Sequence, residues 1–263
     1  EQGATHTARV PIQYRRLLEQ LRIGESDLSR MQSLMSCGSA LPPDLKAQLF
    51  DVFPCGVIEL YGLTEGVITT LEPEDAQGRL SSVGKPIQGT DLRLIDEVGH
   101  VVPQGQLGEI AGLCRFTMQG YWNKPAETAE ATWQDEFGRV WLRTGDIGRM
   151  DADGFLYIVD RKRDMILSGG QNIYPADIEA VLLTHPDVLD CAVIGVPHAE
   201  WGETPLAVVV LRPSRTNPED LHVWVNAKVG RQQRVSAVVF VDELPRNPNG
   251  KVLKRELRRT IRA

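Results

Sequence analysis

The feature that most constrains the fold of this chain is a change in sequence pattern along its length. Residues 91–158 contain short apolar segments separated by turns of Gly, Asp and Asn. Such segments are typical of β-strands joined by tight turns, so this stretch predicts a β-rich subdomain. Before it, apolar residues at helical spacing over 9–21 and a helix start at 42–44, with short strands at 32–35 and 57–60, indicate α/β layers.

A second change of pattern follows residue 160. Helices are predicted at 175–183, from Asn217 onwards and at 251–261, and strands at 189–196, 206–211 and 237–241. The order α-β-β-α-β-α is typical of a compact α+β domain. We therefore expect a chain of mixed α/β and α+β class, with one domain over residues 1–160 and a small domain over residues 161–263, joined at the charged segment 160–164.

The composition argues against several classes of protein. The 263 residues carry 29 basic and 35 acidic side chains, whereas a generic nucleic-acid binder is basic. The longest apolar runs, such as 205–211, are far shorter than the roughly 20 residues that span a bilayer, and no signal peptide opens the chain. Cys37, Cys55, Cys114 and Cys191 form no CxxC motif, which favours reduced thiols. We expect a cytoplasmic protein with neither a nucleic-acid partner nor a transmembrane segment.

Two predicted strands end in side chains suited to a nucleotide. Residues 61–66, Tyr-Gly-Leu-Thr-Glu-Gly, follow an apolar strand. Their aromatic ring, hydroxyl and carboxylate can stack a purine, hydrogen-bond a phosphate and hold Mg²⁺, but the same residues could form a turn with a capping Thr-Glu pair. Residues 142–146 end in Asp146, whose carboxylate can accept two hydrogen bonds from a ribose diol. An Asp after Gly is equally typical of an ordinary turn.

Two later segments combine charge with glycine. The charge cluster at 160–164 is typical of a solvated face, and the pair Gly169-Gly170 that follows it permits close approach of an extended ligand. Residues 247–251 form a tight turn that presents Lys251 before the C-terminal helix. Turn lysines are mostly solvent-exposed, although a mobile lysine is also what an anionic pentavalent phosphorus requires.

In this order, the segments resemble the adenylate-forming superfamily, which includes acyl-CoA synthetases, peptide-synthetase adenylation domains and firefly luciferase. The resemblance covers almost the whole chain and rests on residues 37–42, 61–66, 108–110, 120–125, 143–146, 160–170 and 249–251. It implies that residues 1–160 are the C-terminal part of the large AMP-binding domain. Residues 161–263 are then the small, mobile C-terminal domain of the family.

The resemblance implies an AMP-forming acid–CoA ligase that uses ATP, Mg²⁺ and coenzyme A. In the family, a fatty or other small carboxylic acid attacks the α-phosphate of ATP to give acyl-adenylate and pyrophosphate, and a thiol then displaces AMP. The run that begins Ser168-Gly169-Gly170 resembles acyl-CoA synthetases most, so CoA is the preferred thiol. A carrier-protein-loading domain, a luciferase-type oxygenase and an inactive nucleotide-binding fragment are the alternatives.

The resemblance also implies a role for each matching residue. Catalytic roles fall on Lys251, which bridges the carboxylate and the α-phosphate, on Thr64 at the α-phosphate, and on Glu65, the Mg²⁺ ligand. Nucleotide-binding roles fall on Gly38, Ser39, Glu59, Tyr61, Gly62, Asp146, Ile158 and Arg161. In this set Tyr61 stacks on the base, and Asp146 and Arg161 hold the ribose. Arg163 is the hinge about which the small domain rotates, and Ser168, Gly169 and Gly170 line the path of CoA.

Several features depart from the family pattern. Cys37 stands where the first glycine of the adenine loop is usual, Ala40 replaces the usual Pro, and Arg163 occupies a hinge position that is commonly Asp or Lys. Residues 1–263 contain no Ser/Thr/Gly-rich phosphate-binding loop, which family members carry in their N-terminal half. We therefore expect the C-terminal half of a synthetase, with weak or absent activity in isolation.

Overall fold

The computed structural model describes residues 3–21, 27–213, 215–247 and 250–261. The chain divides into two compact units, Glu1–Ile158 and Val159–Ala263. Helices and strands are mixed in both, and the described residues form three β-sheets, which confirms the predicted fold class. No helix in these ranges is long and apolar enough to cross a membrane.

The first sheet of the N-terminal unit carries the first predicted site segments. Its strands are β1 (His6–Arg9), β2 (Ser33–Ser36), β3 (Ile58–Leu63), β4 (Gly66–Leu71) and β5 (Lys85–Pro86), in that spatial order. The first three pair in parallel, and β3, β4 and β5 pair antiparallel. Helices α1 (Pro11–Gln20) and α2 (Pro43–Val52) connect the parallel strands, and each begins with proline, whose missing N–H costs nothing in a first turn. Their apolar faces pack on β2 through Tyr14, Leu45 and Leu49 against Leu34.

The second sheet of this unit is the predicted β-rich stretch. It contains β6 (Thr90–Ile95), β7 (Gly108–Cys114), β8 (Thr132–Gln134), β9 (Val140–Met150) and β10 (Leu156–Arg161), in the order β10-β9-β7-β6 with β8 beside β9. Helix α3 (Pro125–Glu130) precedes β8. Val83, Leu94, Ile110 and Leu156 form a buried cluster on this sheet. Strand β10 begins in the N-terminal unit and ends in the C-terminal one.

The C-terminal unit is built on a third sheet. Its strands are β11 (Ile166–Ser168), β12 (Gln171–Ile173), β13 (Val188–His198), β14 (Gly202–Leu211) and β15 (Val238–Phe240), in the order β12-β11-β14-β13 with β15 parallel to β14. Its helices are α4 (Pro175–Leu182), α5 (Pro218–Asn226) and α6 (Lys254–Thr260). The predicted α-β-β-α-β-α order is present, and the short hairpin β11–β12 comes before it.

Both faces of this third sheet are buried. Successive side chains of a strand point to opposite faces, so Cys191 and Val193 of β13 pack with α4 and α5, whereas Ala192 and Ile194 pack on the other side with Leu257 of α6. This double burial explains why β13 and β14 are nearly continuous apolar runs. The same packing fixes the segments before α4 and before α6, in which the predicted CoA and lysine positions lie.

Candidate active site

The hairpin between β3 and β4 carries the first predicted segment. Tyr61 and Gly62 lie at the end of β3, and Thr64 and Glu65 form the tight turn that leads into β4. A Cβ on Gly62 would stand 2.8 Å from the carbonyl oxygen of Val67, so a larger residue does not fit there. Thr64 is exposed at the tip, where its hydroxyl can reach a ligand.

The carboxylate of Glu65 is held by an aromatic side chain from the predicted segment 120–125, to which the resemblance gave no role. Tyr121 donates its hydroxyl to Glu65 Oε1 at 2.9 Å, and the backbone N–H of Met118 donates to the carbonyl of Glu65 at 2.7 Å. Burial raises the pKa of Tyr121, and the Glu65 carboxylate raises it further, so the phenol remains a donor. The loop after β7 therefore orients the turn that carries Thr64 and Glu65.

The structure brings Tyr61 and Asp146 together although 85 residues separate them. The Tyr61 hydroxyl donates to Asp146 Oδ2 at 2.8 Å. Asp146, on β9, is only 3% exposed, and its backbone N–H donates to Thr144 Oγ1 at 3.1 Å. The Thr144 hydroxyl donates in turn to the carbonyl of Ile110 at 2.9 Å. These bonds fix an aromatic ring and a carboxylate side by side in a geometry that suits a nucleoside.

A partly buried ion pair lies on the strands next to Asp146. Arg143 of β9 donates through Nη2 to Glu109 Oε2 of β7 at 2.5 Å, and through Nε to the same oxygen at 3.2 Å. Two donors on one carboxylate restrict both side chains. The pair therefore ties β7 to β9 close to the residue predicted to hold the ribose.

Residues 37–41 of the predicted adenine-loop segment, 37–42, form the loop that follows β2. Gly38 adopts φ 87°, a conformation that favours glycine, and Ser39 is half-buried. The backbone N–H of Leu41 donates to Glu59 Oε1 at 2.9 Å, and Glu59 Oε2 forms an ion pair with Lys46. Both oxygens of Glu59 thus bind groups of the protein. This geometry does not support the prediction that Glu59 is itself a nucleotide ligand.

Ile158 shares its packing partners with Tyr61. Both side chains are partly buried and pack against the same cluster of Val83, Leu94, Ile110 and Leu156. Aliphatic and aromatic side chains both offer an apolar surface that suits one face of a base. One buried cluster within the N-terminal unit therefore supports Tyr61, with its bond to Asp146, and Ile158.

The remaining predicted residues lie in the C-terminal unit. Arg161 ends β10, and its backbone N–H donates to Asp160 Oδ1 at 2.7 Å, while Asp160 Oδ2 accepts from Ala176 N at 3.0 Å. Arg163, the predicted hinge, is exposed in a short 3₁₀ turn, Lys162–Asp164. Asp164 in that turn pairs with Arg258 of α6 at 3.3 Å.

The turn of Lys251 is held by several hydrogen bonds. Lys251 N donates to Asn247 Oδ1 at 2.8 Å, and Asn247 N donates to the carbonyl of Lys251 at 2.9 Å. Arg246 pairs with Asp190 of β13 through Nη2 and Oδ2 at 2.5 Å. The side chain of Lys251 is half-buried. Residues 248 and 249 of the predicted motif lie outside the described residues.

The glycine pair lies in the turn between β11 and β12. Gly169 and Gly170 have φ values of 56° and 78°, and a Cβ on Gly170 would meet no atom within 4 Å. The backbone conformation, and not a lack of space, therefore favours glycine here, and the space above the turn is open. The Gly169 N–H donates to the carbonyl of Trp201 at 2.9 Å. Trp201, 51% exposed, stacks on His198 with ring centroids 4.4 Å apart, and neither had been assigned a role.

Two protein-family models match the chain in sequence order. The one described as AMP-binding enzyme matches residues 1–122, and the one described as AMP-binding enzyme C-terminal domain matches residues 177–251. The chain belongs to the adenylate-forming superfamily.

Individual relatives agree with this assignment. A feruloyl-CoA synthase of Amycolatopsis sp is 37% identical over 95% of this chain and 50% of its own length. The fatty acid–[acyl-carrier-protein] ligase ScoC of Streptomyces coeruleorubidus is 35% identical over 97% of this chain and 50% of its own length. The structure of ATP-bound MatB from Rhodopseudomonas palustris superposes with a TM-score of 0.89 at 33% identity, over 98% of this chain and 51% of that one. The chain thus spans about half the length of the relatives it matches.

Membership of the adenylate-forming superfamily makes a magnesium ion relevant to the site. Among the described residues, no group of three or more His, Cys, Asp or Glu side chains could hold a metal ion. Mg²⁺ is commonly held in proteins by one or two carboxylates together with substrate phosphates and water. A single oriented carboxylate, Glu65, in the same turn as Thr64 fits that mode of binding, with the nucleotide supplying the other ligands.

Proposed function

We propose that this chain belongs to an AMP-forming acid–CoA ligase. In the first half-reaction, a carboxylate oxygen attacks the α-phosphorus of ATP, the bond to the β-phosphate oxygen breaks, and pyrophosphate leaves. In the second, the thiol sulfur of CoA attacks the acyl carbon, the bond to AMP breaks, and the thiol proton is lost. The observation that carries this proposal is the hydrogen bond between Tyr61 and Asp146, which joins an aromatic ring to a buried carboxylate.

The N-terminal unit supplies the nucleotide contacts in this proposal. Tyr61 stacks on the base, Ile158 packs near it, and Asp146 accepts the ribose hydroxyls. The exposed Thr64 hydroxyl hydrogen-bonds an α-phosphate oxygen. Glu65, held by Tyr121, binds Mg²⁺, which when bound neutralises charge on the phosphates.

The C-terminal unit supplies the lysine and the thiol path. Lys251 offsets the negative charge that develops on the attacking carboxylate and the α-phosphate in the transition state, and this kind of stabilisation is strongest when the charge is held in place beforehand. The bonds between Asn247 and the backbone of Lys251 hold the turn from which this side chain extends. The open turn at Gly169 and Gly170 leaves room for a pantetheine arm.

Pyrophosphate exchange tests the first half-reaction. The protein that contains this chain, given ATP, Mg²⁺ and a panel of aliphatic and aromatic carboxylic acids, should incorporate labelled pyrophosphate into ATP only when a suitable acid is present. Absence of exchange with every acid would refute the proposal. Calorimetry with ATP and Mg²⁺ then separates an inactive nucleotide-binding protein, which binds without exchange, from one that binds no nucleotide.

A carrier protein is the second candidate thiol, because ScoC, a carrier-protein ligase, is 35% identical to the chain. Competition between CoA and a phosphopantetheinylated carrier protein, added to preformed acyl-adenylate, distinguishes the two. We expect acyl-CoA to form faster. Faster loading of the carrier protein would assign the enzyme to the other class.

A further inference from the structure

Lys46 is fully buried although lysine is among the residues least often found inside proteins. It lies in helix α2, its side chain is 0% exposed, and none of the family motifs contains it. A buried ammonium requires a charged partner and further hydrogen bonds. Lys46 has both, since Nζ forms an ion pair with Glu59 Oε2 and donates to the carbonyl of Ser82 at 3.0 Å.

Glu59 connects this ion pair to the predicted adenine loop. Its other oxygen, Oε1, accepts the backbone N–H of Leu41 at 2.9 Å. Leu41 ends the loop 37–41, and Glu59 lies opposite Ser36, the last residue of β2, in the pairing of β2 with β3. The carboxylate that Lys46 orients therefore fixes the C-terminal end of this loop, and the backbone pairing of Glu59 with Ser36 fixes its start relative to β3.

Ser82 connects the same ammonium to β10. The Ser82 hydroxyl donates to the carbonyl of Leu156 at 2.8 Å and accepts the N–H of Gly84 at 2.9 Å. Leu156 precedes Ile158 by two residues on β10. One buried lysine thus joins the three segments that carry Ser39, Tyr61 and Ile158.

We propose that Lys46 is a positioning residue for the nucleotide site, acting through Glu59 and Leu41 to hold the loop 37–41 where the base binds. This inference rests on the proposed function. It also gives Glu59 a role different from the one its place in the motif implies. Glu59 shapes the loop that contacts the nucleotide, and its own charge is satisfied by Lys46.

Four variants separate this role from general stabilisation. Lys46→Met removes the ammonium and keeps a chain of similar length. Glu59→Gln removes the charge and keeps an oxygen that can accept from Leu41. The double variant Lys46→Met/Glu59→Gln removes both charges. It keeps the side-chain oxygen that can accept from Leu41 and leaves no unpaired ammonium in the interior. Lys46→Arg keeps the charge. Arg79→Met is the matched control, because it breaks the 2.5 Å ion pair with Asp153 in the same unit without touching the loop.

Hydrogen exchange of the ligand-free chain gives a readout that does not depend on catalysis. In Lys46→Met, exchange at the Leu41 amide should rise about tenfold or more, because its acceptor is no longer held. Arg79→Met should leave that amide unchanged. The same protection in Lys46→Met as in the wild type would overturn the inference. If Lys46→Met does not fold, the same amide is compared in Glu59→Gln, which removes one charge of the ion pair, and in Lys46→Arg, which keeps both.

Kinetics of the protein that contains the chain give the second readout. We expect Lys46→Met to raise the KM for ATP in pyrophosphate exchange by about tenfold with a much smaller change in kcat, and the double variant to recover part of the loss. A role confined to stability would lower the melting temperature and leave the KM for ATP unchanged, which would refute the proposal. Absence of wild-type exchange would refute the proposed function, and hydrogen exchange would still decide whether Lys46 holds the loop.

Discussion

Removal of the Tyr61 hydroxyl tests the contact that joins the two segments of the candidate site. In Tyr61→Phe the ring can keep its packing against the cluster of Leu94, Ile110 and Leu156, and the variant loses the hydroxyl that donates to Asp146 at 2.8 Å. The acceptor is a carboxylate in a residue 3% exposed. Hydrogen bonds to charged groups contribute about 1.5–3 kcal/mol, so the variant should lose stability in this range.

The effect on nucleotide binding follows from the orientation of Asp146. We propose that its carboxylate accepts the ribose hydroxyls, and the Tyr61 hydroxyl restrains that carboxylate in the absence of nucleotide. If half of the lost interaction energy is expressed in binding, about 0.75–1.5 kcal/mol, the KM for ATP rises about 4- to 12-fold. The value of kcat should change less, because neither group is proposed to touch the reacting atoms.

A second tyrosine in the same unit provides a matched control. Tyr157 donates its hydroxyl to Asp151 Oδ2 at 3.0 Å, so Tyr157→Phe also removes one tyrosine–aspartate hydrogen bond. Pyrophosphate exchange at varied ATP and thermal unfolding should be measured for both variants. Tyr157→Phe should lose stability with the KM for ATP unchanged. The reasoning is refuted if Tyr61→Phe keeps the wild-type KM, or if both variants raise it equally.

Three further predictions concern other parts of the molecule. Lys251→Ala should reduce adenylation by about 10²-fold or more and spare thioesterification of added acyl-adenylate, and equal loss of both half-reactions would contradict the role. Burial raises the pKa of Tyr14 to about 12, so the contribution of its protonated phenol to folding stability is complete below pH 10 and is lost as pH rises towards 12. Between pH 10 and 12, the melting temperature of Tyr14→Phe should therefore fall less steeply with pH than that of the wild type. Equal slopes for the two proteins would show that Tyr14 is not the cause. Lys254→Met should lower the unfolding free energy in urea by about 2–4 kcal/mol, because it leaves Glu179, its largely buried partner at 2.7 Å, without a counter-charge. A lower unfolding free energy in the double variant Glu179→Gln/Lys254→Met than in Lys254→Met alone would contradict this explanation.

The features that the sequence predicted correctly depend on short stretches of chain. Short apolar segments predicted β6 and β7, and a proline at the start of the helix predicted α2 and α4. Strand β9 was predicted only over its first residues, because Gly145 and Asp146 are typical of a turn, whereas the strand continues through them to Met150. The hairpin β11–β12 was missed because each strand has only three residues.

The contacts that orient the site depend on pairs far apart in the chain. Tyr121 lies 56 residues from Glu65, and the pattern around it gives no sign of that partner. Lys46 and Glu59 appear in the sequence as two charged residues on a helix and a strand, and charged residues are usually exposed. Only the packing of α2 against β3 shows that the two charges pair, so that each can be buried because the other is present.

Glu59 and Asp146 show why a motif position does not by itself assign a ligand. Both are carboxylates on strands, exposed by 4% and 3%, and both occupy positions to which the family resemblance gives a nucleotide contact. Glu59 faces a cation and a backbone N–H of the protein, so a ligand that displaced them would leave the Lys46 ammonium buried without its partner. Asp146 accepts a neutral donor, the Tyr61 hydroxyl, at Oδ2, and a carboxylate can accept further hydrogen bonds, so the ribose hydroxyls can bind it while Tyr61 still holds it. The chemistry of the partner therefore separates the carboxylate that shapes the site from the one that we propose to bind the nucleotide.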